Sequence, residues 1–253
     1  MIRFHKVTKN LGGKTVLNKL DLEIKRGETF VIVGASGAGK SVTLKHMIRL
    51  LSPDEGQIFI GDDVISEAEG RDLEKIRSRF GVLFQGGALM QWMDVGGNVG
   101  LPLRENTKMS PAEIDRLVDE KLAMVDLQAA KHKYPSDISG GMQKRAGLAR
   151  AIITEPEIIL YDEPTSGLDP ATSRKIDQII ERLRVKLNVT SVVVTHDLHS
   201  ALSIGTRIGV ISEGKMVEIA TPQEFIRSEN KVVKSFLESQ YITTRGSWEK
   251  GQL

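Results

Sequence analysis

No cysteine occurs in the 253 residues of this chain. Disulfides and thiolate-held metals are thereby excluded, and the absence fits a reducing compartment. Net charge is almost absent too. The 35 basic side chains outnumber the 33 acidic ones by only two, so nothing indicates a groove for nucleic acid. Long apolar runs are missing: Phe30–Val33 and Ile158–Tyr161 are among the longest, far short of the ~20 residues that a membrane-spanning helix needs. Met1–Val7 alternates like a strand and lacks the apolar core of a secretory leader. Neither an internal repeat nor a low-complexity segment is present. What remains is an ordinary globular composition, 40% hydrophobic and 27% charged, sufficient for a sizeable core in one large domain or two small ones. The chain reads as cytosolic.

Strand-like alternation marks Ile2–Val7, Leu20–Ile24 and Gln57–Ile60, with turns at Gly12-Gly13, Arg26-Gly27 and Asp54-Glu55-Gly56. Between them, Thr29–Val33 reads as a buried strand that runs into Gly34–Ser41 and then a helix over Lys40–Leu51. A short strand, Gly81–Phe84, ends at Gln85. From Gly86 to about Ile153 the pattern is loop and helix. There Ser110-Pro111-Ala112-Glu113 forms a capping box with proline at the first helical position, and Ile114, Leu117, Val118, Leu122 and Val125 follow the helical period. Strands return at Ile158–Tyr161, Ser191–Val194, Arg207–Ile211 and Met216–Ile219, with a helix predicted over Pro170–Leu187. Thr221-Pro222-Gln223-Glu224 caps a short helix, Lys231–Ser239 reads as another, and Tyr241–Leu253 is a polar tail. Alternating strand and helix implies a parallel sheet, here interrupted by a helical insertion.

The chemistry is concentrated in a few strings. Gly34-Ala35-Ser36-Gly37-Ala38-Gly39-Lys40-Ser41 fits the phosphate-loop pattern. Its glycines let successive N–H groups turn toward a β-phosphate, Lys40 neutralises β/γ oxygens, and the Ser41 hydroxyl suits magnesium. Ile158–Tyr161 delivers Asp162 and Glu163 at a strand's C-terminal end, where open parallel sheets bind ligands. Asp162 is placed to hold magnesium through water and Glu163 to act as general base on the attacking water. Gln85 and His196 each follow a strand directly, one reaching toward metal and lytic water, the other toward a γ-phosphate. His46, His132 and His199 read as structural or solvated. Ser139-Gly140-Gly141 opens the helix Met142–Ile153, whose N-terminus suits an anion; as a bare tripeptide it reads equally as an N-cap. Ser166-Gly167-Leu168-Asp169 is a tight turn carrying an acid able to communicate between two sites.

In this order, these strings resemble the ATP-binding-cassette (ABC) ATPases over residues 1 to about 240. The resemblance implies an α/β fold: a P-loop NTPase, RecA-like parallel-sheet core with an N-terminal antiparallel β subdomain and an inserted α-helical subdomain. Residues 1–240 would form one ATPase domain (core 1–85 and 154–225, helical subdomain 86–153), with a C-terminal extension and tail over 226–253. ATP and Mg2+ are the implied cofactors, and a second copy of the chain the implied partner, two ATP molecules being sandwiched between them. Nucleotide would contact Gly34, Ala35, Ser36, Gly37, Ala38, Gly39, Lys40, Ser41 and Val42 of one subunit and Ser139, Gly140 and Gly141 of the other, with Asp169 also among the nucleotide-binding residues. Magnesium falls to Ser41, Gln85 and Asp162; catalysis falls to Glu163, His196 and Gln85.

Within that superfamily, Leu83–Leu89, Asn98–Glu105, Gly140-Gly141-Met142-Gln143-Lys144-Arg145 and Ser41-Val42-Thr43-Leu44 look like the ATPases of Mce-associated lipid transporters. This implies a peripheral subunit on the cytoplasmic face of the inner membrane. It would be bound to permease subunits and an Mce-type lipid-binding protein, and would power phospholipid traffic between two membranes. An importer ATPase for amino acids or another polar solute is the alternative. Three departures stand out. Leu11 occupies the place of an adenine-stacking aromatic, Gly96-Gly97 replaces an acid that commonly precedes Asn98, and Met90-Gln91-Trp92-Met93 is either a partner-gripping surface or ordinary packing.

Overall fold

Parity of burial explains the first strands. In β1 (Ile2–Leu11) the core takes Ile2, Phe4 and then Val7, a change from even to odd positions. A strict period of two cannot make that change, and the register against β2 (Lys14–Ile24) shifts between Phe4 and Val7, where Lys6 takes φ +48°. The bulge returns the hydrophobic set to the core face. Gly12 and Gly13, at φ +56° and +78°, make the two-residue turn that joins the antiparallel pair. The computed structural model describes residues 1–240 and Ile242; otherwise the predicted tail from Tyr241 lies outside the described residues. The chain divides into two compact units, one of residues 1–68 and 194 onward, the other of Glu69–Val193.

In the first unit, β3 (Thr29–Val33) is buried at every position, as a parallel strand covered on both faces must be. It leads through the glycine-rich loop into α1 (Lys40–Met47). That helix stops four residues before the predicted Leu51: the N–H groups of Leu50 and Leu51 both close onto the Lys45 carbonyl, with Arg49 at φ +54°. Next, β4 (Glu55–Ile60) and the short β5 (Asp63–Val64) complete an antiparallel sheet of order β2-β1-β4-β5.

The second unit opens with α2 (Gly70–Arg77) and β6 (Phe80–Leu83). Next comes α3 (Val95–Asn106), a helix that propensity argues against, since it contains Gly96, Gly97, Gly100 and Pro102. Packing overrides propensity here. A Cβ on Gly97 would lie 2.4 Å from the Met93 side chain, and one on Gly96 3.0 Å from Lys131. The Asp94 carboxylate caps the helix by accepting from Gly97 N at 2.6 Å. The predicted capping box is present at the start of α4 (Pro111–Met124). Two 3₁₀ turns, Gln128–Ala130 and Pro135–Asp137, precede α5 (Gly140–Ile152). Finally come β7 (Ile158–Asp162), α6 (Pro170–Leu187) and β8 (Thr190–Val194). Ile176, Ile179, Ile180 and Leu183 of α6 are buried at helical spacing, each contributing about 1.5–3 kcal/mol of transfer free energy.

The first unit then resumes with α7 (Leu198–Ile204), β9 (Arg207–Ser212), β10 (Lys215–Ala220), α8 (Pro222–Ile226) and α9 (Lys231–Ser239). β9 runs parallel to β3, Val33 opposite Val210, and antiparallel to β10. The predicted mixture is therefore observed: an antiparallel N-terminal sheet, parallel strands alternating with helices, and a helical segment between. No described helix is long and apolar enough to cross a membrane.

His46 in α1 is fully buried, its Nδ1 2.7 Å from the Val42 carbonyl oxygen. Burial pushes its pKa below the ordinary histidine value, the Val42 bond opposing. A depressed imidazole pKa means that the unfolded chain binds this proton more readily. Stability is therefore expected to fall as pH drops below about 6.5, with a slope of up to ~1.4 kcal/mol per pH unit from this group. Urea midpoints at pH 7.5 and 5.5 for the wild type and for His46→Asn, whose amide can also reach the Val42 carbonyl, check it. An equal acid loss in both proteins would remove His46 as the cause.

Candidate nucleotide site

In the first unit the loop after β3 has the shape of a phosphate cradle. A Cβ on Gly34 would lie 2.4 Å from the Ile211 carbonyl oxygen, and one on Gly39 3.0 Å from both the Val16 carbonyl oxygen and Leu17. Gly37 and Gly39 take φ +78° and +107°, which only glycine adopts readily. Lys40 begins α1 and is buried, its Nζ donating to the Gly34 and Ala35 carbonyls at 2.8 and 3.1 Å. The ammonium is thus held over the loop, where the oxygens of a bound phosphate would replace those carbonyls. Ser41 and Val42 follow in the first turn of α1. A cleft of about 970 Å³ borders this loop, lined among others by Val16, Ala35, Gly37, Ile211, Val232 and Phe236, large enough for a nucleotide. Leu11 is partly exposed and not among its lining residues; the aromatic there is Phe236 of α9.

His196 belongs to the same unit. Thr195 N donates to the Ile32 carbonyl of β3 at 3.1 Å, so His196 follows a residue anchored to the strand that leads into the loop. Asp197 caps α7 by accepting from His199 N and Ser200 N at 2.9 and 3.2 Å. Gln240, just past α9, clasps the turn at two points. Its amide oxygen accepts from Leu198 N at 2.9 Å and its amide nitrogen donates to the His196 carbonyl. Nothing in the sequence pattern signals Gln240, because a polar residue after a terminal helix is ordinarily solvated.

In the second unit, β6 and β7 run parallel with Leu83 opposite Tyr161. That register brings the strands' C-terminal ends together, and with them Gln85, Asp162 and Glu163. Asp162 is nearly buried, and Glu163 takes φ +50°. Lys144, from α5, donates to the backbone carbonyls of both Gln85 and Glu163. The sequence reading named this lysine only within the Gly140–Arg145 string and gave it no role at the site. Ser139 caps α5 through Met142 N at 3.4 Å, and Ser139 and Gly140 are exposed. Gly141 is buried, and a Cβ there would lie 2.5 Å from the Thr172 methyl. Asp169 caps α6, accepting from Ala171 N and Thr172 N at 3.0 Å each and from the Thr172 hydroxyl at 2.5 Å. The Ser41 hydroxyl in the first unit, and the Asp162 carboxylate and Gln85 amide oxygen in the second, are each of the hard oxygen type that magnesium takes.

Five residues after Gln85, at Met90, the chain forms a pinned loop. The buried Asn98 side chain accepts from Met90 N at 2.6 Å and donates to the carbonyls of Met90, Met93 and Asp94 at 3.0, 2.9 and 3.0 Å. The apolar cluster splits: Leu89 is buried, while Trp92 is 76% exposed.

The sequence model of the ABC transporter family matches residues 17–166. The chain is 40% identical to the "Probable ribonucleotide transport ATP-binding protein mkl" of Mycobacterium tuberculosis, over 98% of this chain and 69% of that one. It is 36% identical to the "Intermembrane phospholipid transport system ATP-binding protein MlaF" of Haemophilus influenzae, over 95% of this chain and 91% of that one. Among solved structures, a dimeric ATP-binding cassette in a post-hydrolysis state with ADP and phosphate superposes at TM-score 0.80. It is 34% identical and covers 88% of this chain and 99% of its own.

Proposed function

This chain belongs to the ABC transporter ATPases, and from that premise we propose that it is the ATP-hydrolysing subunit of a phospholipid transporter. The alignment with the intermembrane phospholipid transport ATPase, which takes in 91% of that relative's length, carries the lipid reading. In its favour, too, are the Leu83–Leu89 and Gly140–Arg145 strings. Transmembrane permease subunits and an Mce-type lipid-binding protein are the partners. The working state is a homodimer on the cytoplasmic face of the inner membrane. Each site takes Lys40, Ser41, Gln85, Asp162, Glu163 and His196 from one subunit and Ser139 and Gly141 from the other. Ser41, Gln85 and Asp162 would hold magnesium, which would supply positive charge against the phosphate oxygens. Lys40 holds the β/γ oxygens, Glu163 takes the proton of the attacking water, and His196 steadies the γ-phosphate.

The test is reconstitution of the purified complex in donor vesicles beside lipid-free acceptor vesicles. ATP-dependent transfer of phospholipid is expected. Transfer of a ribonucleotide or amino acid, with lipid unmoved, would replace this reading by the polar-solute alternative, which the name of the mycobacterial relative favours.

Trp92 is the proposed anchor on the permease. Its exposure above a loop pinned by Asn98, a few residues past Gln85, suits a rigid interfacial aromatic. Trp92→Ala is expected to leave the isolated subunit's stability within about 0.5 kcal/mol. It should weaken permease association by ~2 kcal/mol or more, about 30-fold in affinity. Pull-down of permease with the variant checks it; unchanged recovery and unchanged coupled transport would rule the anchor out.

A further inference from the structure

Helix α5 grips the end of β6 and the loop beyond it along one face. Gly147 lets the helix approach, since a Cβ there would lie 2.7 Å from Leu83 and 3.2 Å from the Gly87 carbonyl oxygen. One helical turn on, Arg150 donates to the carbonyls of Gly87 and Ala88 at 2.7 and 2.8 Å. One turn before Gly147, Lys144 is nearly buried and donates to the Gln85 carbonyl and, at 2.9 Å, to the Glu163 carbonyl. Of these three residues, Lys144 is the one bonded to both catalytic segments. Glu163 needs such a restraint: it holds φ +50°, a region that non-glycine residues rarely enter, and it precedes Pro164. Its carbonyl also accepts from Ser166 N at 3.2 Å. The lysine is costly to bury. Desolvation lowers its pKa, and the Glu163 and Asp162 carboxylates oppose that shift. A buried ammonium spent on two backbone carbonyls fixes peptide planes, and through them the directions of the Gln85 and Glu163 side chains.

We propose that Lys144 is a positioning residue that sets the catalytic geometry of Gln85 and Glu163 in its own subunit. The proposal rests on the reading of those two residues as catalytic. The same helix begins at Ser139, assigned above to the partner's nucleotide, so α5 joins the element that senses one ATP to the groups that hydrolyse the other.

Substitution in homodimers is the first arm of the test. Lys144→Met keeps the length of the side chain and removes the donor. Its kcat is expected to fall about 10- to 100-fold, with KM for ATP and binding of a fluorescent ATP analogue unchanged. Lys144→Arg, which retains a donor, should restore most of the rate. A kcat within twofold of wild type in Lys144→Met overturns the proposal, as does a loss that appears in KM and analogue binding instead.

Placement in mixed dimers is the second arm. A dimer of one Lys40→Ala chain and one Ser139→Arg chain has one intact site, whose Glu163 comes from the Ser139→Arg chain. Adding Lys144→Met to that chain should abolish most of the remaining hydrolysis; adding it to the Lys40→Ala chain should not. Equal loss from either placement would mean general damage to α5 and would overturn the positioning role. Failure of the parent pair to hydrolyse at all would count against the shared-site reading instead, leaving the homodimer arm to decide on Lys144.

Discussion

Glu163→Gln is expected to leave ATP binding intact while steady-state hydrolysis falls at least about 100-fold, the usual contribution of a general base. Glutamine preserves the shape and the hydrogen-bonding reach of the side chain but cannot take a proton from water. The bonds to the Glu163 backbone carbonyl, from Lys144 Nζ at 2.9 Å and Ser166 N at 3.2 Å, do not involve its side chain, so the local fold should survive. Asp162 is unchanged beside it. ATP then binds, the dimer closes, and the closed state accumulates because the step that reopens it is blocked. Sedimentation with ATP should show a stable dimer where the wild type shows turnover and dissociation. Near-normal hydrolysis by this variant would remove Glu163 from the base role and shift attention to His196.

The second large effect tests where Ser139 acts. Lys40→Ala removes the ammonium that covers the phosphate loop, and Ser139→Arg puts a bulky cation at the exposed start of α5. Each homodimer should lose about 10²- to 10³-fold in kcat, the usual cost of removing a positioned donor from the reacting group. Mixing the two purified chains in equal amounts should recover roughly a quarter of the wild-type rate. Random pairing makes half the dimers mixed, and each mixed dimer has one of its two symmetry-related sites intact. Hydrolysis in the mixture no higher than in either parent would place Ser139 in the same subunit's site, or in none.

Sequence alone located the glycine-rich loop, the helix caps and the buried strands because the relevant constraints are local. A loop that turns successive N–H groups inward needs glycine at fixed offsets from its lysine, and Gly37 and Gly39 do take positive φ. A capping box is complete within four residues, and those at Ser110 and Thr221 are formed as read. A strand buried on both faces is legible as an apolar run, hence Thr29–Val33 and Ile158–Asp162. Tertiary structure decided what depends on residues far apart in the chain. Helix α3 exists against its own propensity because its glycines admit Met93 and Lys131 at close range; no local signal could outweigh three glycines and a proline. Leu89 and Trp92, equally apolar on paper, are separated into core and surface by the Asn98 amide. Lys144 lies 59 residues from Gln85 and 19 from Glu163, and Gln240 lies 44 from His196. Side chains of this kind bond to backbone carbonyls, which every residue possesses, so their partners leave no mark in the sequence and only the folded chain selects them.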